Sequence, residues 1–423
     1  MFLIGASWLF SAQIVSRVAR LATTLVVARV LSPEHFGIVA IALTVNEFAM
    51  VISRFGTSTA LIKSDDKSLD YNCHSAWSLN WIIGITLLVL QCILAYPIAT
   101  LYSEPGIAAP IMALAAVYLL LPMGAVNQAL TARRGDMKTI AKAEVWQAIV
   151  DAFLTVSMAF AGFGIWALIL PKILVVPIWI YVHHKASPWS DRKFQLKGSS
   201  ALLYFGICVA GTEILTVVRH SIDYILIGFF LGIEALGIYF FAFNAGLGIT
   251  KSLLTAMCNA LLPTLCRVSH DKDVQRRDFM RAVSLIMLLI STWVALQVAL
   301  ASWYVPIIFG EKWVDNGALP ILVIICLCGI PLALTETCSQ YMRARGVPNR
   351  DFYWNIAYTT VFAASVCIGI QWGITGVAYA ILGASLINMP IYYHLNVKPI
   401  LRATSSEESG SYASPQLAQA ARS

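Results

Sequence analysis

The sequence predicts an all-α integral membrane protein: twelve transmembrane helices in two six-helix lobes related by a pseudo-two-fold axis along the membrane normal. Three observations lead there: an apolar composition, twelve apolar stretches with basic residues on one side only, and an internal repeat. Of the 423 residues, 59% are hydrophobic and 12% charged, about half the charge of an ordinary soluble protein. Mean hydropathy is +0.74. A water-soluble fold is excluded. At ~20 to 25 residues per crossing, a dozen helices take roughly 240 to 300 residues and leave no sizeable soluble domain.

The stretches fall near 2–29, 35–61, 76–100, 107–132, 144–161, 163–182, 199–229, 234–262, 279–306, 317–342, 351–370 and 373–394. The first contains Arg17 and Arg20 and lacks a basic start and a small-residue cleavage site. It reads as a membrane helix rather than a removable signal. Connections 62–75, 133–143, 183–198, 267–278, 343–350 and the tail after 394, with Arg281, hold 21 Lys and Arg, whereas the opposite connections hold only Arg29 and Lys312. By the positive-inside rule the basic set is cytoplasmic, both termini included. The net charge of +7 therefore reports topology and no nucleic-acid partner. Residues 403–423 are rich in Ser, Ala, Gln and Glu without apolar periodicity, the composition of a disordered tail. Cys92, Cys208, Cys258, Cys326, Cys328 and Cys367 lie in apolar runs without zinc spacing and read as small core residues.

The repeat aligns Leu31-Ser32-Pro33-Glu34-His35-Phe36-Gly37-Ile38 through Ala42 with Leu231-Gly232-Ile233-Glu234-Ala235-Leu236-Gly237-Ile238 through Ala242, identical at five of twelve positions and 200 apart. Ala132-Arg133-Arg134-Gly135 matches Ala344-Arg345-Gly346, and Gly164-Ile165 matches Gly373-Ile374, in the same order. Six crossings per repeat return the chain to its starting side, so the halves run parallel. The expected lobes are 1–198 and 199–394, followed by a cytoplasmic tail at 395–423, with the substrate between the lobes.

Ionisable side chains at membrane depth cost at least ~2.5 kcal/mol each and usually face a bundle interior or a wet cavity. The first half carries Arg17, Arg20, Glu47, Arg54, Asp151 and Lys172; the second carries Glu213, Arg219, His220, Asp223, Lys251 and Glu336. Helical spacing places Arg17 with Arg20, and Glu47 with Arg54, on shared faces. Glu213, Thr216, Arg219, His220 and Asp223 form one stripe at ~100° per residue. Counted from shared turns, Arg17 lies level with Glu47, Glu213 with Lys251 and Asp151 with Lys172. Such pairs either neutralise one another or work; for Arg17, Arg20 and Arg54, three cations near one Glu leave an excess that calls for an anion. Arginine suits phosphate, because its fork binds two oxygens and stays ionised when partly desolvated. The cationic set is Arg17, Arg20, Arg54, Arg219 and Lys251. Glu47, Asp151, Glu213, Asp223 and Glu336 are candidates for coupling to an ion, since burial brings carboxylate protonation into reach of a gradient. His220 reads either as a proton relay or as a packed, hydrogen-bonded histidine.

Gly5-Ala6-Ser7-Trp8 followed by Val27-Ala28-Arg29-Val30-Leu31 through Gly37 resembles the first-helix signature of bacterial oligosaccharide-lipid flippases. These form the polysaccharide transporter branch of the superfamily that also holds multidrug and toxin exporters and the peptidoglycan-precursor flippase. Phe55-Gly56 through Ile62, Leu262-Pro263 with Asp271, and Phe309-Gly310-Glu311-Lys312-Trp313 resemble the same family in order, so the likeness runs from about residue 5 to 394. It implies an inner-membrane carrier that moves undecaprenyl-pyrophosphate-linked sugars by alternating access, driven by a proton or sodium gradient, through a cationic cavity. Arg17, Arg20, Arg54 and Lys251 match that cavity by helix and depth rather than by motif. The chain begins almost inside helix 1, without the basic leader the likeness implies, which leaves an upstream start codon open.

The function expected is thus a lipid-linked oligosaccharide flippase of the bacterial cytoplasmic membrane, without cofactor or covalent chemistry, working beside a polymerase or other assembly partners. A drug or small-cation antiporter on the same architecture would favour aromatic and acidic groups over arginine. A membrane-embedded polymerase or glycosyltransferase would need a large external loop with paired acids, and 304–316 offers only Glu311 and Asp315. Neither a glycine-rich phosphate loop nor a nucleophile triad supports an enzyme.

Overall fold

In a computed structural model of the chain, residues 2–53, 61, 64, 68–189, 193–195, 214, 217–268 and 271–402 are described. Arg54, Glu213, Thr216, the tail beyond 402 and the expected lobe boundary at 198/199 lie outside them. Among the described residues the regular structure is entirely helical. Nine helical stretches there are long and apolar enough to cross a membrane, so the chain is a multi-pass membrane protein.

The helices are α1 (Phe2–Val30), α2 (Pro33–Ser53), α3 (Leu69–Leu101), α4 (Ala108–Ala115), α5 (Val117–Arg133), α6 (Met137–Phe160), α7 (Trp166–Leu174), α8 (Val176–Ala186), α9 (Ile233–Ala245), α10 (Leu247–Arg267), α11 (Lys272–Tyr304), α12 (Ala318–Leu327), α13 (Gly329–Ala344), α14 (Pro348–Gly369) and α15 (Gly373–Tyr392). Residues 217–231 are also helical. Local chemistry sets the ends. Pro33 opens α2 with Glu34 in its first turn, where a missing N–H costs nothing and a negative charge meets the helix dipole. Asp136 caps α6, its carboxylate accepting from the Thr139 amide at 3.1 Å and the Thr139 hydroxyl at 2.6 Å. The glycine before it, Gly135, has φ +70°, and its repeat partner Gly346 has φ +75°, the left-handed conformation that ends a helix most cheaply with glycine.

The chain forms two compact units, residues 1–245 with 303–319, and residues 246–302 with 320–423. In the first, α1 packs along α6, α2 against α9, and α5 against α3 and α8. In the second, α10 packs on α13 and α14 on α15. The long apolar stretches are jointed, α4 meeting α5 at Ala116 and α12 meeting α13 at Cys328. Those joints lie 212 positions apart, the spacing that relates Ala132 to Ala344, so the repeat extends to the break within the helix.

Within the first unit the two copies of the repeated turn meet. A Cβ on Gly37 would overlap the carbonyl oxygen of Ile233, and one on Gly237 would overlap that of Pro33. Beside this crossing the family-like motifs converge. Trp313 is fully buried, donates from Nε1 to the Ala28 carbonyl at 2.8 Å, stacks on Phe241 at 3.8 Å and meets Phe36 edge-on at 5.2 Å. Lys312 Nζ donates to the carbonyls of Leu31 at 2.6 Å and Arg29 at 3.0 Å. Arg29 returns the contact, donating to the carbonyls of Ile307 and Ile308.

Candidate functional site

Arg17 and Arg20 sit three residues apart on α1. Arg20 is exposed and Arg17 half-buried. The Nε and Nη1 atoms of Arg17 are shielded from solvent and have no hydrogen-bond acceptor among the described residues. Guanidinium donors in that state are rare, because each buried unpaired donor forfeits its hydration. α1 packs along α6, and Gln13 of α1 hydrogen bonds with Glu144 of α6. Glu144 was not singled out by sequence: the predicted span began at 144, whereas α6 starts at Met137, which sets Glu144 two turns inside the helix.

Asp151 of α6 and Lys172 of α7 form an ion pair, Nζ to Oδ2 2.7 Å, with Asp151 22% and Lys172 42% exposed. The second carboxylate oxygen of Asp151 is shielded and has no hydrogen-bond partner among the described residues. The pairing predicted across the Gly162 to Gly164 turn is therefore made.

Asp223 is 4% exposed. Its Oδ2 accepts from the Tyr239 hydroxyl at 2.7 Å and its Oδ1 from the Tyr224 amide at 3.0 Å. Tyr224 packs edge-on against Tyr239, Phe240 and Phe243, so the carboxylate is set into an aromatic wall. Arg219 lies half-buried one turn earlier and His220 is exposed. Glu47 is exposed on α2. In the second unit, Lys251 on α10 and Glu336 on α13 are both half-buried, on helices that pack together.

The second unit also holds a buried carboxylate that sequence reading passed over. Asp351, 5% exposed, accepts from the Ser339 hydroxyl at 2.7 Å and the Tyr392 hydroxyl at 2.6 Å, joining α13, α14 and α15. Its position in the first turn of α14, at the edge of an apolar stretch, made it look like a loop residue.

Comparison with known proteins agrees with this architecture. The model of the family described as polysaccharide biosynthesis protein matches residues 26–317. The succinoglycan biosynthesis transport protein ExoT of Rhizobium meliloti (strain 1021) is 27% identical over 82% of this chain and 70% of its own length. The lipopolysaccharide biosynthesis protein WzxC of Escherichia coli (strain K12) is 24% identical over 94% of this chain and 81% of its own. Among solved structures, the lipid II flippase MurJ in an inward closed conformation superposes with a TM-score of 0.75 at 14% identity, over 91% of this chain and 87% of MurJ. An inward-facing multidrug resistance MATE family transporter of the MOP superfamily gives 0.72 at 13% identity, over 95% of this chain and all of that one. At such identities these structures speak to the fold alone.

Proposed function

The chain belongs to the polysaccharide biosynthesis protein family, and from that premise we propose that it is a flippase that carries a polyprenyl-pyrophosphate-linked oligosaccharide across the bacterial cytoplasmic membrane. The observation that carries this reading is Arg17, a guanidinium at membrane depth whose shielded Nε and Nη1 have no acceptor among the described residues. A diphosphate supplies what those donors lack: paired anionic oxygens at the spacing of the fork. Arg20 on the same helix, and Arg54, Arg219 and Lys251 by sequence position, extend the cationic lining. The relatives named for transport in succinoglycan and lipopolysaccharide biosynthesis support a surface-glycan substrate.

The topology is part of the same proposal. α1, the helix at 217–231, and the division of the span Arg350–Leu401 into α14 and α15 bring the nine apolar stretches to twelve crossings. The halves 1–198 and 199–394 are the two lobes, both termini and the tail 395–423 are cytoplasmic, and the headgroup passes between the lobes while the prenyl chain stays in lipid. No bond is made or broken; net movement requires only that outward and inward states differ in affinity for headgroup and coupling ion. Glu47, Asp151, Glu213, Asp223 and Glu336 are the carboxylates through which a proton or sodium gradient would act.

The test is export of surface glycan by cells carrying Arg17→Ala, Arg20→Ala or Arg54→Ala, with membrane abundance measured alongside. Loss of export at normal abundance is expected. Full export by all three would remove the diphosphate site from the reading.

A further inference from the structure

The beginning of α11 carries a feature that neither the central charges nor the repeat uses. Gln275, Phe279, Ile286, Ile290, Val294 and Gln297 make its buried face. On the other side Leu285, Leu288, Leu296, Leu300 and Trp303 are exposed, Leu288 by 64% and Trp303 by 73%. In a membrane helix that stripe faces acyl chains. At its end, Asp273, Arg276, Arg277, Met280, Arg281 and Ser284 line a shallow, largely open surface groove. Arg277, Arg281 and Ser284 share a helix face with Leu288, by their spacing of three and four, so groove and stripe are continuous.

Among the described residues, two guanidinium groups of this groove are unpaired and the third is held only loosely. Arg281 lies 3.9 Å from Asp278, outside hydrogen-bond range, and among the described residues Arg276 and Arg277 form no ion pair. Other arginines of the basic connections are occupied: Arg133 donates to the carbonyls of Leu61 and Ser64, Arg134 to that of Ala186, and Arg350 to that of Leu395. Positive-inside loops alone therefore do not explain two unpaired forks, beside a third held only by a long ion pair, in less than two turns of one helix.

We propose that the groove binds the phosphate of an anionic phospholipid of the cytoplasmic leaflet, its acyl chains lying on the leucine face of α11. Three arginines against Asp273 and Asp278 leave one net positive charge, which a single phosphodiester balances. A prenyl diphosphate would bring at least one negative charge too many, and a zwitterionic headgroup would add a cation beside the arginines. Basic clusters at the cytoplasmic ends of membrane helices attract anionic lipid, each residue adding about fivefold in affinity.

The experiment is native mass spectrometry of the full chain in detergent, titrated with phosphatidylglycerol, phosphatidylcholine or a short-chain polyprenyl diphosphate. The wild type is expected to retain phosphatidylglycerol over phosphatidylcholine. Arg277→Gln with Arg281→Gln should weaken phosphatidylglycerol about twenty-five-fold, whereas Arg350→Gln, whose guanidinium is already bonded to the Leu395 carbonyl, should leave it unchanged. Equal retention of the two phospholipids, no effect of the double substitution, or polyprenyl diphosphate held more tightly at this groove would each overturn the proposal. If the glutamine variant does not fold, Arg277→Lys with Arg281→Lys serves: its phosphatidylglycerol retention should fall with added salt, and salt-independent retention would count against the site.

Discussion

Gly37 of α2 and Gly237 of α9 stand against each other, a Cβ on Gly237 lying only 2.9 Å from the Gly37 amide nitrogen. The neighbours of the two glycines are exchanged: Gly37 meets Ile233, and Gly237 meets Pro33. Shifting every number by 200 converts one contact into the other. A contact that maps onto itself under exchange of its partners is the local mark of a two-fold relation. Here it arises because both turns kept glycine at the fourth position after the turn, where small residues let membrane helices approach closely.

Substituting Gly237 by Ala should therefore separate α2 from α9. Overpacking of this kind costs about 1 to 3 kcal/mol, and backbone carbonyls cannot swing aside as a side chain could. A lowered melting temperature in detergent is expected. Gly383→Ala is the control, because nothing lies within 4 Å of a Cβ there; equal melting temperatures for the two variants would show that the crossing is not close.

Trp313 gives a second stability prediction. Trp313→Ala should cost about 3 to 5 kcal/mol from the buried volume it removes. Trp313→Phe keeps most of the ring but leaves the Ala28 carbonyl without its donor, a smaller loss of about 1 to 3 kcal/mol. Thermal unfolding in detergent should rank wild type, Phe and Ala in that order. If Phe melts with Ala, the indole hydrogen bond rather than the packing holds the motif.

Much of this was legible in the sequence because hydropathy, charge sidedness and register are local or periodic signals. The 200-residue offset paired the two turns as copies of one repeat, though not their meeting at Gly37 and Gly237, and the depth count from the Gly162 to Gly164 turn paired Asp151 with Lys172. Residues near helix ends were less legible. Glu144 and Asp351 lie where apolar stretches fade, and composition does not separate a buried helix start from a loop. The partners of Asp351, Ser339 and Tyr392, come from two other helices, and no spacing along the chain encodes that meeting. The convergence of Trp313 with Ala28 was likewise hidden, since the two lie 285 residues apart.

The α6 cap is sensitive to pH. The Thr139 hydroxyl, donating to Asp136, holds that carboxyl below its ordinary value, with the Thr139 amide, Lys138 and Lys142 adding to the effect against a partial desolvation. A folded pKa below the unfolded one means the added stability is present above about 3.9 and fades as pH falls through the folded value. Asp136→Asn keeps an oxygen acceptor but no charge. The wild type should melt above Asp136→Asn near neutral pH, and the gap should close in acid below about pH 4. A gap that persisted or widened in acid would mean that the carboxylate charge is not what supports the cap.

The Asp151 and Lys172 pair decides between architecture and coupling. If the pair only neutralises charge, either residue alone is a liability at membrane depth, about 2.5 to 3.5 kcal/mol for an uncompensated centre. Asp151→Ala or Lys172→Ala should then lower membrane abundance, and the double substitution should restore it, with an interaction term of about 0.5 to 3 kcal/mol. Coupling asks for more. One carboxylate oxygen of Asp151 is shielded and has no hydrogen-bond partner among the described residues, so a coupling ion would have only the Lys172 contact to displace there. In vesicles, the double-alanine protein should insert normally yet translocate headgroup at a rate that no longer changes when the proton gradient is collapsed. If its response to the gradient equals that of the wild type, Asp151 holds the register of α6 and α7 and takes no part in coupling.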